Sequence, residues 1–223
     1  MLRRDLSCAF LVFLFSVSLP AAVVTGKIEF LTKRGQNPNR AETVVWLESA
    51  GLKPRMAEAA QVTTRRKALL PHVMAIPIGS TIRFPNEDPI THNLFSVSTA
   101  NPFDLGLYRA GAGKVQKFDK PGIVNVYCNV HPNMSAVIHV MHTPYYAMTN
   151  ATGVFQIADV PPGKYKLSAW NEQGGSTQGE IEVLADGTVK GTLNLSIDSR
   201  AFRSTPHLNK LGKPYEKTRA KDY

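Results

Sequence analysis

Short runs in which apolar and polar residues alternate recur along this chain, and Gly, Pro, Asn or Asp breaks them at close intervals. No stretch sustains a 3.6-residue apolar period, so the pattern predicts strands rather than helices. Candidate strands are GKIEFL (26–31), TVVWLE (43–48), AQVTTR (60–65), VMAIPI (73–78), TIRFPN (81–86), HNLFSV (92–97), VQKF (115–118), IVNVYC (123–128) and AVIHVM (136–141). GVFQI (153–157), KYKLSAW (164–170), GEIEVL (179–184) and TVKGTLNLSI (188–197) follow. Many short strands with turn residues between them predict an all-β sandwich or barrel. Gly79-Ser80, between two candidate strands, predicts a tight hairpin. A period of two puts Val124, Val126 and Cys128 on one face, which predicts a buried cysteine at a strand end.

The first 22 residues follow another pattern. Arg3 and Arg4 precede the apolar run CAFLVFLFSVSL (8–19), and Pro20, Ala21 and Ala22 follow it. A basic start, a short apolar run and small residues predict a secretory signal peptide over 1–22, cut near Ala21 or Ala22. The run is short of the roughly 20 residues of a membrane span, and the alternative is an uncleaved N-terminal anchor. After cleavage no integral span is expected, and the mature chain is exported. Cys8 leaves with the signal, so only Cys128 remains and no internal disulfide can form. A lone thiol in an oxidising compartment implies burial or a metal.

The chain has 223 residues and a formal net charge of +9. Its 43% hydrophobic and 19% charged residues exclude a largely disordered protein, and its length allows one or two domains. Charge is uneven. Residues 199–223 hold Arg200, Arg203, Lys210, Lys213, Lys217, Arg219 and Lys221 against Glu216 and Asp222, with Pro206 and Pro214 among them. This basic segment reads as a solvated tail or as a strap over the surface, and its charge suits an acidic partner or an anionic membrane surface. Nucleic acid is not expected as a partner, because no binding motif is present.

The specific chemistry lies in CNVHPNM, which places Cys128, His131 and Met134 at C-x-x-H-x-x-M spacing between two candidate strands; His92 opens a strand upstream. One thiolate, two imidazoles and one thioether match a mononuclear copper electron-transfer site, with two His and one Cys in a plane and a long axial Met. Soft sulfur favours Cu(I), and imidazole suits both oxidation states. The plain alternative is an inert buried thiol with Met134 as core filler.

These residues carry a resemblance. VYCNVHPNM resembles the ligand loop of the cupredoxins, the small blue copper proteins, and amicyanin and pseudoazurin in particular. MAIPIGSTIRFPNEDPITHN resembles the first-ligand segment of the plastocyanin-like members. The resemblance covers about residues 58–142 and implies one type 1 copper held by His92, Cys128, His131 and Met134, with Asn93 helping to hold the cysteine loop. It also implies that His131 lies nearest the surface, ringed by Pro89, Ile90, Pro132 and Asn133, where a redox protein partner would dock. NPFDLGLYRAGAGK (101–114) is a longer connection than compact members need. The whole chain looks like the methylamine utilisation protein-like group, which implies a periplasmic or secreted location. It lacks the His-Cys-His and His-x-His motifs of multicopper oxidases and the Cys-x-x-x-Cys of binuclear sites.

A second resemblance lies downstream. TNATGVFQIADVPPGKYKLSAW (149–170) resembles the carboxypeptidase regulatory-like, or transthyretin-like, β-sandwich through Gly153, Phe155, Val160-Pro161-Pro162-Gly163 and Tyr165. TGKIEF and ETVVWLE resemble that module's first two strands. The expected organisation is therefore a sandwich split over 23–50 and 143–198, with a copper domain (51–142) inserted and a basic tail (199–223). The alternative is two sequential domains, the second of 143–198 alone.

The remaining histidines carry less. A hairpin centred on Gly79-Ser80 would bring His72 opposite residue 87, at the end of the sandwich that bears His92, as a contact to the metal ligands, as part of another metal site, or as an ordinary packed or rim residue. His139 and His142 are expected to be exposed, and His207 carries no signal. Asp159, Glu172, Glu180 and Glu182 form no recognisable acid–base pair, so no catalytic residue is assigned and an enzyme is not expected. The leading expectation is an exported electron carrier. The alternatives are a copper storage, delivery or sensing module, and a structural adhesion or scaffold protein.

Overall fold

A computed structural model describes residues 21–215. Most of the expected signal peptide and the end of the basic tail, residues 216–223, lie outside the described residues.

The protein is all-β. In chain order the strands are β1 (Ala22–Leu31), β2 (Val44–Glu48), β3 (Ala59–Gln61), β4 (Thr63–Arg65), β5 (Ala68–Leu70), β6 (Val73–Pro77), β7 (Thr81–Asn86), β8 (His92–Ser96) and β9 (Phe103–Tyr108). They continue with β10 (Gly111–Lys117), β11 (Gly122–Cys128), β12 (Ser135–Met141), β13 (Tyr146–Met148), β14 (Val154–Val160), β15 (Gly163–Asn171), β16 (Gly175–Val183), β17 (Val189–Gly191) and β18 (Asn194–Asp198).

The strands pair into four sheets. β1 lies between β14 and β18, antiparallel to the first and parallel to the second. The sheet β13-β2-β15-β16-β17 faces it, and Val24, Ile28, Leu47, Phe155, Leu167, Ile181 and Ile197 fill the space between them. The chain leaves this pair of sheets after β2 and returns to it at β13. In between, β10-β7-β4-β5, with β3 also on β7, packs on β6-β12-β11-β8-β9 around Ile76, Phe84, Leu94, Phe118, Val126 and Ile138.

The two sandwiches also pack on each other. Along β12, Ala136, Ile138 and Val140 face inward, while Val137 and Met141 point outward into a third cluster with Val44, Trp46, Tyr146, Met148 and Trp170. His139 shares that outward face. It is 7% exposed, 5.0 Å from the Trp46 ring and 5.8 Å from the Trp170 ring. The expected exposure of His139 is therefore corrected, because the neighbouring sheet covers the face that strand periodicity alone leaves open. Burial pushes its pKa down to about 4, with His142 adding to the shift. His142 is exposed as expected.

The Gly79-Ser80 turn is not a hairpin. β6 pairs with β12 in one sheet, and β7 pairs with β10, β3 and β4 in the other. Ile76 and Ile82 enter the same core from opposite sheets, so the turn is a corner between layers. Gly79 takes a φ of +85° that an L side chain rarely adopts, and its N–H donates to the Phe118 carbonyl at 2.7 Å. Val62 separates β3 from β4, and TVKGTLNLSI divides into β17 and β18 in different sheets. Residues 101–114 are not a loose connection: they form most of β9 and β10, which also belong to different sheets.

Candidate metal centre

Cys128 ends β11, in the row of inward positions that contains Val124 and Val126, and all three are fully buried. The chain then turns back within six residues to start β12. The Met134 N–H donates to the His131 carbonyl at 3.2 Å, and the Cys128 N–H donates to the Met134 carbonyl at 3.1 Å, which closes the loop on itself. The Asn129 N–H donates to the Asn93 carbonyl at 2.8 Å, which ties the loop to β8. Asn93 thus holds the cysteine loop through its backbone. Its side-chain amide donates instead to Asp104.

β8 is buried along its whole length, and its first residue, His92, is fully buried. His92 Nδ1 and His131 Nδ1 each lie 3.7 Å from Cys128 Sγ. Metal–sulfur and metal–nitrogen bonds of about 2.3 and 2.0 Å at a trigonal angle imply an N···S separation of about 3.7 Å, so the spacing fits a shared ion. The ligand atoms of the three residues lie within 4.8 Å of one another, and among the described residues no other group of three or more His, Cys, Asp or Glu does so. The Val130 N–H points at Sγ from 3.5 Å. Met134, the last loop residue, is 1% exposed and belongs to the core cluster that includes Cys128. His131 is half-buried, and Pro89 and Asn133 are exposed beside the partly buried Ile90 and Pro132.

The far nitrogen of His92 is also engaged. Nε2 lies 3.0 Å from Asp88 Oδ2, and Asp88 is 6% exposed. Two backbone donors meet the same carboxylate, Arg66 N–H at 2.5 Å and Lys67 N–H at 2.8 Å. Arg66 and Lys67 form the two-residue turn between β4 and β5 with φ of 52° and 58°, a left-handed pair that glycine and asparagine usually supply. Burial works against the Asp88 charge, yet these donors and the imidazole outweigh it and hold the carboxyl below its ordinary range. Burial lowers the pKa of His92 against the pull of Asp88, and burial together with the neighbouring His92 lowers that of His131. Both rings are therefore biased toward the neutral form that binds a metal. Nothing singled out Asp88 in the sequence, although it stands four residues before His92.

His72 does not sit opposite residue 87, because no hairpin exists there. Its Nδ1 lies 2.9 Å from the Ser135 carbonyl, and its Nε2 lies 2.6 Å from Glu172 Oε2. It bridges the start of β12 to the β15–β16 turn of the other sandwich. A cleft of about 720 Å³ opens beside it, lined by Glu42, Pro132, Asn133, Glu172 and His207 among others.

The basic segment is a strap as far as it is described. His207 stacks on Tyr127 at 4.3 Å and 19°, and Lys210 and Tyr215 bond to Asn129 and Cys128. Sequence reasoning gave no role to His207 or Tyr215, since irregular backbone leaves no periodicity to read.

Fold and site together define an all-β protein with a buried His-Cys-His cluster able to hold a metal ion. No family model matches the chain, and no curated protein sequence matches it. Among solved structures it is similar to a purple cupredoxin from Nitrosopumilus maritimus, at 22% identity over 37% of this chain and 99% of that one, with a TM-score of 0.34. It is also similar to a methionine-to-alanine variant of amicyanin in the Cu(I) state, at 16% identity over 44% and 98%, with a TM-score of 0.35. A reduced proline-to-phenylalanine variant of amicyanin gives 17% identity over 43% and 99%, with a TM-score of 0.35.

Proposed function

We propose that the protein is an exported mononuclear type 1 copper protein that carries single electrons between redox partners. The observation behind this reading is the buried convergence of one thiol and two imidazole Nδ1 atoms, each 3.7 Å from the sulfur. Copper held there supplies one-electron chemistry, cycling between Cu(II) and Cu(I). Cys128 contributes the thiolate, and His92 and His131 contribute the imidazoles. Met134, buried at the end of the same loop, would add a thioether to the set and tune the potential. Asp88 accepts the Nε2 proton of His92 and so leaves its Nδ1 lone pair aimed at the site. The β scaffold fixes three donors in advance, so little rearrangement accompanies a change of charge.

His131 is the ligand for electron exchange, since it is half-buried where His92 is fully enclosed. A redox protein partner docks on the rim of Pro89, Ile90, Pro132 and Asn133. We read the protein as a carrier and not an enzyme, of the methylamine utilisation protein-like group, and place it in the periplasm or outside the cell. The pairing of β1 and β2 with strands after residue 145 supports a copper domain inserted into a carboxypeptidase regulatory-like sandwich. That sandwich serves as support or as an interaction module.

The test is to add Cu(II) to the purified protein and to its Cys128→Ser variant and record visible absorption. An intense thiolate-to-copper band in the unaltered protein alone is expected. Copper binding without colour overturns the type 1 assignment and favours storage or delivery. Failure to bind copper overturns the metal reading altogether.

A further inference from the structure

As far as it is described, the segment after β18 crosses to the other sandwich and reaches the metal-binding loop. It is pre-folded into a tight turn of its own. The Asn209 N–H donates to the Lys213 carbonyl at 2.9 Å, the Gly212 N–H returns to the Asn209 carbonyl at 2.9 Å, and the Asn209 side chain accepts from the Leu211 and Lys213 N–H groups. From this turn, Lys210 reaches two places. Its backbone N–H donates to Asn129 Oδ1 at 3.0 Å, and its ammonium lies 2.6 Å from Asp104 Oδ2. Asp104 Oδ1 accepts from the Asn93 side chain at 2.5 Å and from Gly106 N–H at 2.8 Å. The Asn93 carbonyl in turn accepts from Asn129 N–H at 2.8 Å. Asn93 follows His92 and Asn129 follows Cys128, so the polar circuit Asn93–Asp104–Lys210–Asn129 joins the neighbour of the upstream histidine to the neighbour of the cysteine.

A second contact falls on the cysteine itself. The Tyr215 hydroxyl donates to the Cys128 carbonyl at 2.6 Å and lies 3.2 Å from His207 Nδ1. The His207 ring stacks on Tyr127, the residue before the cysteine, and meets Phe95 of β8 edge-on at 6.4 Å. The strap therefore bonds to the Cys128 carbonyl, the Asn129 side chain and Asp104 of β9, and its His207 ring packs on Phe95 of the strand that carries the upstream histidine.

We propose that the strap, residues 206–215, is a built-in clamp on the metal-binding loop, with Lys210 and Tyr215 as positioning residues that hold the Cys128–Asn129 backbone against β8 and limit opening of the loop. The proposal deepens the reading of the loop as the metal site, since a loop that opens less often releases its ion more slowly. It also stands without metal, because the clamp acts on the metal-free chain.

The test uses the full metal-free chain, Tyr215→Phe, Lys210→Met, and a chain ending at Thr205. Reaction of the Cys128 thiol with a soluble disulfide reagent reads local opening, and urea unfolding is measured in parallel. Each substitution should speed labelling about threefold to tenfold, the effect of losing one ordinary hydrogen bond from a local opening equilibrium. The truncated chain should label faster still, with unfolding midpoints little changed. After copper loading, release to a chelator should quicken in the same order. Equal labelling rates in all four proteins would overturn the clamp. Faster labelling only in proportion to lost global stability would also overturn it, by making the strap ordinary packing. A chain that binds no copper but labels in the expected order would sink the metal reading and leave the clamp standing.

Discussion

The carboxylate of Asp88 and the thiol of Cys128 address opposite nitrogens of one ring: His92 Nε2 lies 3.0 Å from Asp88 Oδ2, and His92 Nδ1 lies 3.7 Å from Cys128 Sγ. A carboxylate on the distal nitrogen makes an imidazole a stronger donor and fixes its tautomer. Asp88→Asn keeps the shape and removes the charge. Metal affinity is expected to fall about 10- to 100-fold, and the reduction potential to rise, because a weaker donor stabilises Cu(II) less. Competitive copper titration and voltammetry check both. Unchanged values would mean that Asp88 only receives the Arg66–Lys67 turn.

Substitution of Met134 separates a fourth metal ligand from a core filler. It is buried in the cluster shared by Val126, Ala136 and Ile138. Met134→Leu conserves volume and should cost less than about 1.5 kcal/mol in unfolding. The visible band should persist, because the thiolate and both imidazoles remain, but its shape and the potential should change. A spectrum and potential identical to those of the unaltered protein would leave Met134 as packing alone. Met134→Ala is the poorer probe, since a cavity of that kind costs about 2–5 kcal/mol by itself.

Much of this was legible in the chain because local rules governed it. The inward row Val124, Val126, Cys128 obeys a period of two, and C-x-x-H-x-x-M fixes three side chains within one short loop. What escaped was set by partners distant in sequence. His139 reads as exposed until Trp46 and Trp170, from strands on either side of the middle sandwich in sequence, close over it. Gly79-Ser80 carries hairpin chemistry, but the strands it joins find better partners in opposite sheets. Arg66-Lys67 makes a left-handed turn with neither Gly nor Asn, because Asp88 rewards the two N–H groups that the turn presents. The strap contacts of Lys210 and Tyr215 leave no pattern, since irregular backbone has no period.

Gly26 in β1 tests how far the two sandwiches depend on each other. A Cβ there would lie 2.0 Å from the Leu193 carbonyl oxygen and 2.6 Å from the Phe155 ring. Backbone cannot yield as a flexible side chain does, so Gly26→Ala should destabilise by about 1–3 kcal/mol or more. The sandwich that carries His92, Cys128 and His131 has its own core, so the visible band expected of the copper-loaded protein should survive at urea concentrations that already unfold the other sandwich. Loss of both signals in one transition would show instead that the cluster around Val44, Val137 and Trp170 couples them into a single folding unit.

Two histidines at the contact between the sandwiches should give stability a pH optimum. His139 is buried and neutral, with a pKa held down to about 4 against 6.5 when unfolded. Between these values the unfolded chain binds the extra proton, so this contribution is complete above about pH 6.5 and is lost as pH falls toward 4. The shift corresponds to roughly 3 kcal/mol at most. His72 behaves oppositely. The hydrogen bond to Glu172 outweighs burial and raises its pKa above 6.5, so its contribution is present below pH 6.5 and is lost as pH rises through the raised value. That pair is partly exposed, with side chains 25% and 39% accessible, and its effect should be small. Urea midpoints measured from pH 4 to 9 on the metal-free protein should therefore fall steeply on the acid side and gently on the alkaline side. His139→Leu should flatten the acid limb, and His72→Gln the alkaline one. An acid limb unchanged in His139→Leu would place the proton elsewhere and remove His139 from the account.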